Sequence, residues 1–568
     1  TKSENKSDPV RELPRQEMNI QIEKKEESVD SLFSPFMEDF LTNFEKILSK
    51  GKDSSPEGSI KVSEVLGSIA RLYERIRTTV EYKGEHVLRR NAIERILKRL
   101  IWEKGSLTPN IETGGISEIL LRELIWARYL SNDTVSKTKI AEVEKIIDKY
   151  IFLLRNLDSL PESTTAGTIR SWIWGVASSE IEDSVDPSNR ELYVALMHGW
   201  FFANFDWKDK NTSDHEKDIQ IYLAVHRAFT KSDEAIMRYH LLIREFPKWG
   251  SADKDDVYNF LNHFPRIYDE IEKHINYSGK LALYRRLQKH SAAFEIFRTI
   301  SQEENLKLKK LLTDKKEFET KIREVCEHKY QLIKRKVNTG IVRSIIYIFI
   351  SKVIFAMLLE IPFEIYRYGD IRYIPLFINI GFPPFLMWII GISIGVPGAR
   401  NTQLIVEKLN SVVYQRENKE KNIFSIERGT GNKFLANTFS LIYAILFVLV
   451  FGGISYLLLK LNFSFFGSVV FFVFMSLVLL FVYRVRFNAT QLKVNSGEED
   501  ILSHLFSYLT LPFLNFGFYL SKGLAKLNFL TILLDFLIEA PLKSIIEIFE
   551  EWTSFIREKK EQVVETPD

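Results

Sequence analysis

The chain has 568 residues, a formal net charge of +3 and a single cysteine, Cys326. That length exceeds one ordinary domain, the near-balanced charge argues against a nucleic-acid-binding field, and one cysteine excludes an intramolecular disulfide framework or a cysteine-rich metal site. The mean hydropathy of −0.09 averages two unlike halves, one charged and one apolar.

Residues 1–59 come first. Thr1–Val29 are charged, poor in aromatics and aperiodic, the composition of a disordered segment. Ser31–Ser49 sets Phe33, Phe36, Phe40, Phe44 and Leu48 at helical spacing. This short amphipathic helix is suited to docking on the following domain, a partner or a membrane surface. Lys50–Ser59 reads as a linker. No secretory signal precedes the charged N-terminus, so an internal span is expected to direct insertion.

From residue 60 to 300 one helical stripe follows another. Val62, Val65, Leu66, Ile69, Leu72, Tyr73, Ile76 and Val80 repeat at three and four residues, the mark of a helix with one buried face. Similar stripes run over Glu85–Trp102, Ile116–Leu130, Thr134–Leu157, Thr168–Glu182, Asn189–Phe205, Asp218–Phe229, Asp233–Phe246, Val257–Ile275 and Leu281–Ile300. Clusters of Gly, Pro, Asn and Asp separate them. The expectation is an all-α cytoplasmic domain without a named solenoid repeat. Residues 301–340 are strongly charged, with a thin seam of Leu308, Leu311, Phe318, Ile322, Val325 and Leu332. That suits a connector helix packed on the domain, with Gly340 as the joint to the membrane.

Residues 341–486 carry four apolar runs: Ser344–Ile361, Tyr373–Val396, Leu435–Leu459 and Ser464–Tyr483. Each is long enough for a hydrocarbon core of about 30 Å. Basic residues collect before the first run, after the second and after the fourth. By the positive-inside rule this puts both termini in the cytoplasm, in the plasma or inner membrane. In 487–568, Leu505–Leu520 and Leu527–Ile538 are short apolar stretches, expected as an interfacial pair with tilted or re-entrant spans as the alternative. Ile538, Leu542, Ile545, Phe549, Trp552 and Ile556 then mark an amphipathic helix before the tail.

Sequence motifs for chemistry are sparse. The ten histidines form no HExxH; His215 and His226 lie eleven apart without an evident third ligand. There is no phosphate loop, GxSxG or dinucleotide fingerprint, so no cofactor is implied and an enzyme is not expected. Ionisable residues at membrane depth are the sharper signal, since each costs about 2.5–3.5 kcal/mol to insert. They are Lys352, Glu360 eight residues on, and Glu364 beyond Pro362, with polar Asn379 in the second run. They suit either an ion path or plain pairing, with Lys352 held by an acid from a neighbouring helix. Pro383 and Pro384 mark a kink, and Gly391 with Gly395 a close helix contact. Trp172, Trp174, Trp200 and Trp207 are candidate partner anchors if exposed.

Two functions follow. One is a membrane scaffold or assembly factor, touching lipid and holding a protein partner on the cytoplasmic side. The other is a transporter or channel subunit, which would invite homo-oligomers. Nucleic acid is not expected.

Overall fold

The structure is a computed structural model that describes residues 32–50, 58–62, 85–103, 115–157, 161, 164–186, 190–207, 212–414, 422–424, 433–494 and 501–526, with positions 548, 552, 555–556 and 559. The expectations for Thr1–Val29, most of the Ile60–Val80 stripe and most of Leu527–Ile556 fall outside the described residues.

The chain is predominantly helical, as its periodicity requires. The N-terminal half comprises α1 (Pro35–Lys50), α2 (Glu85–Glu103), α3 (Ile116–Trp126), α4 (Thr138–Arg155), α5 (Ala166–Val185), α6 (Arg190–Asn204), α7 (Asp214–Val225), α8 (Glu234–Glu245), α9 (Lys254–Ile275), α10 (Lys280–Glu304) and α11 (Leu308–Thr313). Helix starts fall where a side chain can satisfy the first free amides. Thr165, Ser213 and Asp233 cap α5, α7 and α8, and Asp253 forms a capping box with Asp256 at α9. These caps lie in the polar breaks of the sequence.

Two cores result. In the first, Leu120, Val143, Ile173, Ile181 and Phe264 join α2–α5 to α8 and α9. The second gathers α1, α6, α7, α10 and the connector around Met37, Phe40, Tyr193, Phe297 and Phe318.

The connector does not end at Gly340. Helix α12 runs unbroken from Lys315 to Phe355, about 60 Å. Its first turns bury Phe318, Ile322 and Cys326 in the second core, and its last bury Ile341, Ile348 and Lys352 among the apolar helices. Gly340 has nothing within 4 Å of where a side chain would begin, so it is neither a break nor a close contact. A π-turn, Ala356–Glu360, then leads into α13 (Ile361–Tyr368), which carries the helical run past the end of the first apolar stretch.

Helices α14 (Tyr373–Ile392), α16 (Lys433–Lys460) and α17 (Phe465–Ala489) complete a set of four that are long and apolar enough to cross a membrane. Their apolar side chains stay exposed: Leu441, Val448, Leu449 and Leu459 on α16 are each more than 60 % accessible. Such a surface on a water-soluble protein would be an aggregation site, whereas lipid covers it at no cost. Pro383 and Pro384 are buried within α14, whose helix continues through both. Gly391 is packed against Ile341 of α12, where an added Cβ would come within 2.8 Å of Ile341 Cγ2. Gly395 faces open space, so the expected small-residue pair is a single contact.

Helix α18 (Ile501–Lys526) is one continuous helix lying along α17. Phe513 packs between Phe451 and Phe472, and a Cβ on Gly517 would sit 2.6 Å from the Ser476 carbonyl. Ser476 is at the centre of α17. Leu505–Leu520 therefore joins the helical bundle instead of lying apart from it.

Helix α15 (Ala399–Tyr414), between the second and third apolar helices, turns back to the N-terminal half. Its Ile405, Val406, Leu409, Val412 and Val413 are buried in the second core. Strand β1 (Phe205–Trp207) pairs in parallel with β2 (Asn422–Phe424), a small sheet no alternating pattern announced.

Candidate functional site

Of the buried polar clusters among the described residues, one lies among the apolar helices and another opens on a cleft in the N-terminal half. The first contains the residues singled out by sequence. Lys352 is wholly buried, with Nζ 3.4 Å from Glu360 Oε2 and 4.4 Å from the centre of the Phe474 ring. The Asn379 amide donates to Glu360 Oε1 and to the Gly467 carbonyl, the latter at 3.2 Å. Glu364 stands one turn on and pairs with Arg372 Nε at 3.5 Å; Arg372 also donates to the Asn462 carbonyl at 2.9 Å. A cleft of about 270 Å³ separates these two layers, lined by Glu360, Glu364, Arg372, Ser464 and Gly467 among others.

The acid that holds Lys352 comes from the same helical run, not from a neighbouring helix. In a regular α-helix, eight residues at about 100° each overshoot two turns by about 80°. The π-turn takes up one extra residue, leaving the two side chains within about 20° of one face. Asn379 closes the cluster from α14, and Phe474 from α17.

The four tryptophans do not serve as anchors. Trp172, Trp174, Trp200 and Trp207 are all buried, at 3–8 % exposure. Trp172 donates to Glu272, and Lys408 lies over the Trp200 ring at 4.7 Å.

The second cluster was not anticipated. Glu191 starts α6, His226 opens a π-turn (His226–Thr230) at the end of α7, and His240 lies in α8. His226 Nε2 and His240 Nε2 approach the same oxygen, Glu191 Oε1, at 3.5 and 3.4 Å. The imidazole rings lie 4.8 Å apart. His226 Nδ1 faces the Ser232 hydroxyl at 3.3 Å, and the Tyr222 hydroxyl donates to Glu191 Oε2 at 3.0 Å. His215, eleven residues before His226, is exposed in the first turn of α7, about 16 Å along the axis, and takes no part in the cluster.

A cleft of about 350 Å³ opens on this cluster, lined also by Ser179, Glu182, Asp183, Arg190 and Tyr239. Glu182 accepts from Arg89 and, through both oxygens, from Arg190. Burial, followed by repulsion from Glu182 and Glu191, pushes the Asp183 carboxyl up to about 6. Burial pushes His240 down to about 4 despite Glu191, and His86 down to about 3 with help from Arg190 and Arg89. Burial opposes the charge on Glu191, but the neighbouring His240 and His226 rings and the Tyr222 hydroxyl outweigh it and hold its carboxyl well below the usual range. Two imidazoles and a carboxylate converging on one point form a set able to hold a metal ion.

No protein-family description, curated protein or solved structure matches this chain.

Proposed function

We propose that the protein is a membrane-embedded scaffold, whose cytoplasmic helical domain holds a protein partner at a fixed distance and orientation from the bilayer. The observation that carries this reading is α12. One helix is buried at its start in the domain core and at its end among the apolar helices, so domain and membrane bundle move as one. Helix α15 adds a second tie. Basic residues flanking the apolar helices support cytoplasmic termini and a plasma or inner membrane. The polar groups among those helices engage one another, which favours a structural node over a hydrated path.

A transporter or channel subunit is the second reading, favoured by the cleft that Glu360 and Glu364 line. The deciding experiment puts the full chain and its Lys352→Met/Glu360→Gln variant into proteoliposomes and native membranes. The scaffold reading expects no proton or cation flux and crosslinked capture of the same protein partner by both forms. Flux by the parent chain that the variant abolishes would overturn it.

A further inference from the structure

We propose that Glu191, His226 and His240 bind one divalent transition-metal ion, zinc being the ion their donors fit best. Distance is the first argument. A charge-assisted hydrogen bond between imidazole and carboxylate spans about 2.7–2.9 Å. The two histidines instead stand 3.5 and 3.4 Å from Glu191 Oε1, and the donor atoms all lie within 4.8 Å of one another. With metal–ligand bonds of about 2.0–2.1 Å, a tetrahedral ion separates its ligands by about 3.3–3.4 Å. The separations to Glu191 thus match the edges of a coordination polyhedron better than hydrogen bonds.

Unmet bonding potential is the second. His226 is 1 % exposed, and its Nε2, aimed into the cluster, has no hydrogen-bond partner. Such a buried nitrogen destabilises the fold unless something occupies its lone pair.

Charge is the third. Glu182, Asp183 and Glu191 line the cleft with Arg190, and Arg89 reaches Glu182 from outside the lining, so three carboxylates face two guanidiniums. A bridging water could satisfy Nε2 but would leave this excess of negative charge in place; a dication offsets it. Asp183, in the same lining, is a candidate for a fourth donor.

The supporting contacts are of the kind that hold metal ligands in orientation. Ser232 faces Nδ1 of His226, leaving Nε2 for the ion, and Tyr222 fixes the second oxygen of Glu191. The π-turn gives His226 its direction, since the regular turn of α7 ends at Val225. Two nitrogens and one oxygen, with no sulfur, favour zinc or ferrous iron over calcium or magnesium, which prefer all-oxygen shells.

The test uses the full chain in detergent, stripped with a chelator. Cobalt(II) is added as a spectroscopic probe and zinc as its competitor. The expected result is visible d–d bands that saturate at one equivalent and are displaced by zinc. His226→Gln and His240→Gln should each weaken zinc at least 100-fold, and Tyr222→Phe roughly 10-fold. His263→Gln, on a half-buried histidine of α9 away from the cleft, should leave binding unchanged. Zinc should raise the melting temperature of the parent chain but not of the His226→Gln/His240→Gln double variant. If those variants do not fold, X-ray absorption at the zinc edge of the loaded parent chain decides. Two imidazoles and oxygen at about 2.0–2.1 Å are expected. A shell containing sulfur or lacking imidazole overturns the proposal, as does an absence of stoichiometric binding.

Discussion

Each of the two polar clusters adjoins a π-turn, and the contrast between them is instructive. At Ala356–Glu360 the extra residue turns an acid towards the lysine eight positions before it, and the charges cancel within one helical run. At His226–Thr230 it turns an imidazole towards a carboxylate and a second imidazole from other helices, and a lone pair is left over. The same backbone device pairs the charges at one site, where the uncharged Asn379 Oδ1 lacks a partner, and leaves an imidazole nitrogen unpaired at the other. Among helices apolar enough to cross a membrane an unbalanced charge has no water to fall back on, whereas a cleft in the N-terminal half can admit an ion. Local backbone irregularity therefore indicates where to look, and the charge balance around it indicates what to look for.

The sharpest way to break this comparison is Lys352→Met. If the pair is self-contained, losing the lysine leaves Glu360 buried and uncompensated, at a cost of about 3–5 kcal/mol. Adding Glu360→Gln should return most of that loss. Unfolding of the purified chain in detergent measures both; a double variant no better than the single one would show that Lys352 acts outside the pair.

A smaller effect tests whether α18 is part of the bundle that holds the first cluster. Gly517→Ala drives a methyl group into the Ser476 carbonyl, backbone against backbone, and should cost about 1–3 kcal/mol. Gly395→Ala, with open space around it, should change stability by less than about 0.5 kcal/mol in the same assay.

The smallest effect concerns a histidine that has no carboxylate to answer it. His290 packs against Trp200, Phe201 and Phe205, and burial, with Lys408, Arg286 and Lys289 nearby, pushes it down to about 3. The unfolded chain takes up a proton near pH 6.5 and the folded chain does not, so stability falls as pH drops from about 6.5 towards 3. His290→Phe should remove that slope, gaining about 2 kcal/mol on the parent chain between pH 7 and pH 5. Parallel denaturation curves at the two pH values check it; equal slopes would mean His290 is protonated in the fold.

Most of the helical layout was legible because amphipathic stripes and caps are local signals. Phe40, Phe44, Ile322 and Val325 sit in the core where their spacing places them. The four helices that are, among the described residues, long and apolar enough to cross a membrane were legible from run length alone. Lys352 and Glu360 were legible as residues too costly to leave unpaired, but their pairing depends on a π-turn that no residue of AMLLE advertises. Glu191 and His240 were missed because they approach His226 from separate helices, and contact between helices leaves no trace in spacing. The tryptophans misled for the opposite reason: a large aromatic suits a partner's pocket and the chain's own core equally well.

Helix α15 constrains the order in which the molecule can be made. The second core needs Ile405, Leu409 and Val413, which the ribosome reaches only after two apolar helices have been synthesised. Residues as early as Met37 and Phe40 must therefore wait, incompletely covered, until α14 has emerged and the chain has doubled back. The N-terminal half cannot finish folding before α14 and α15 have been made. Biogenesis then has a built-in checkpoint: a chain that stalls before α15 leaves a greasy, unfinished core within reach of chaperones and proteases.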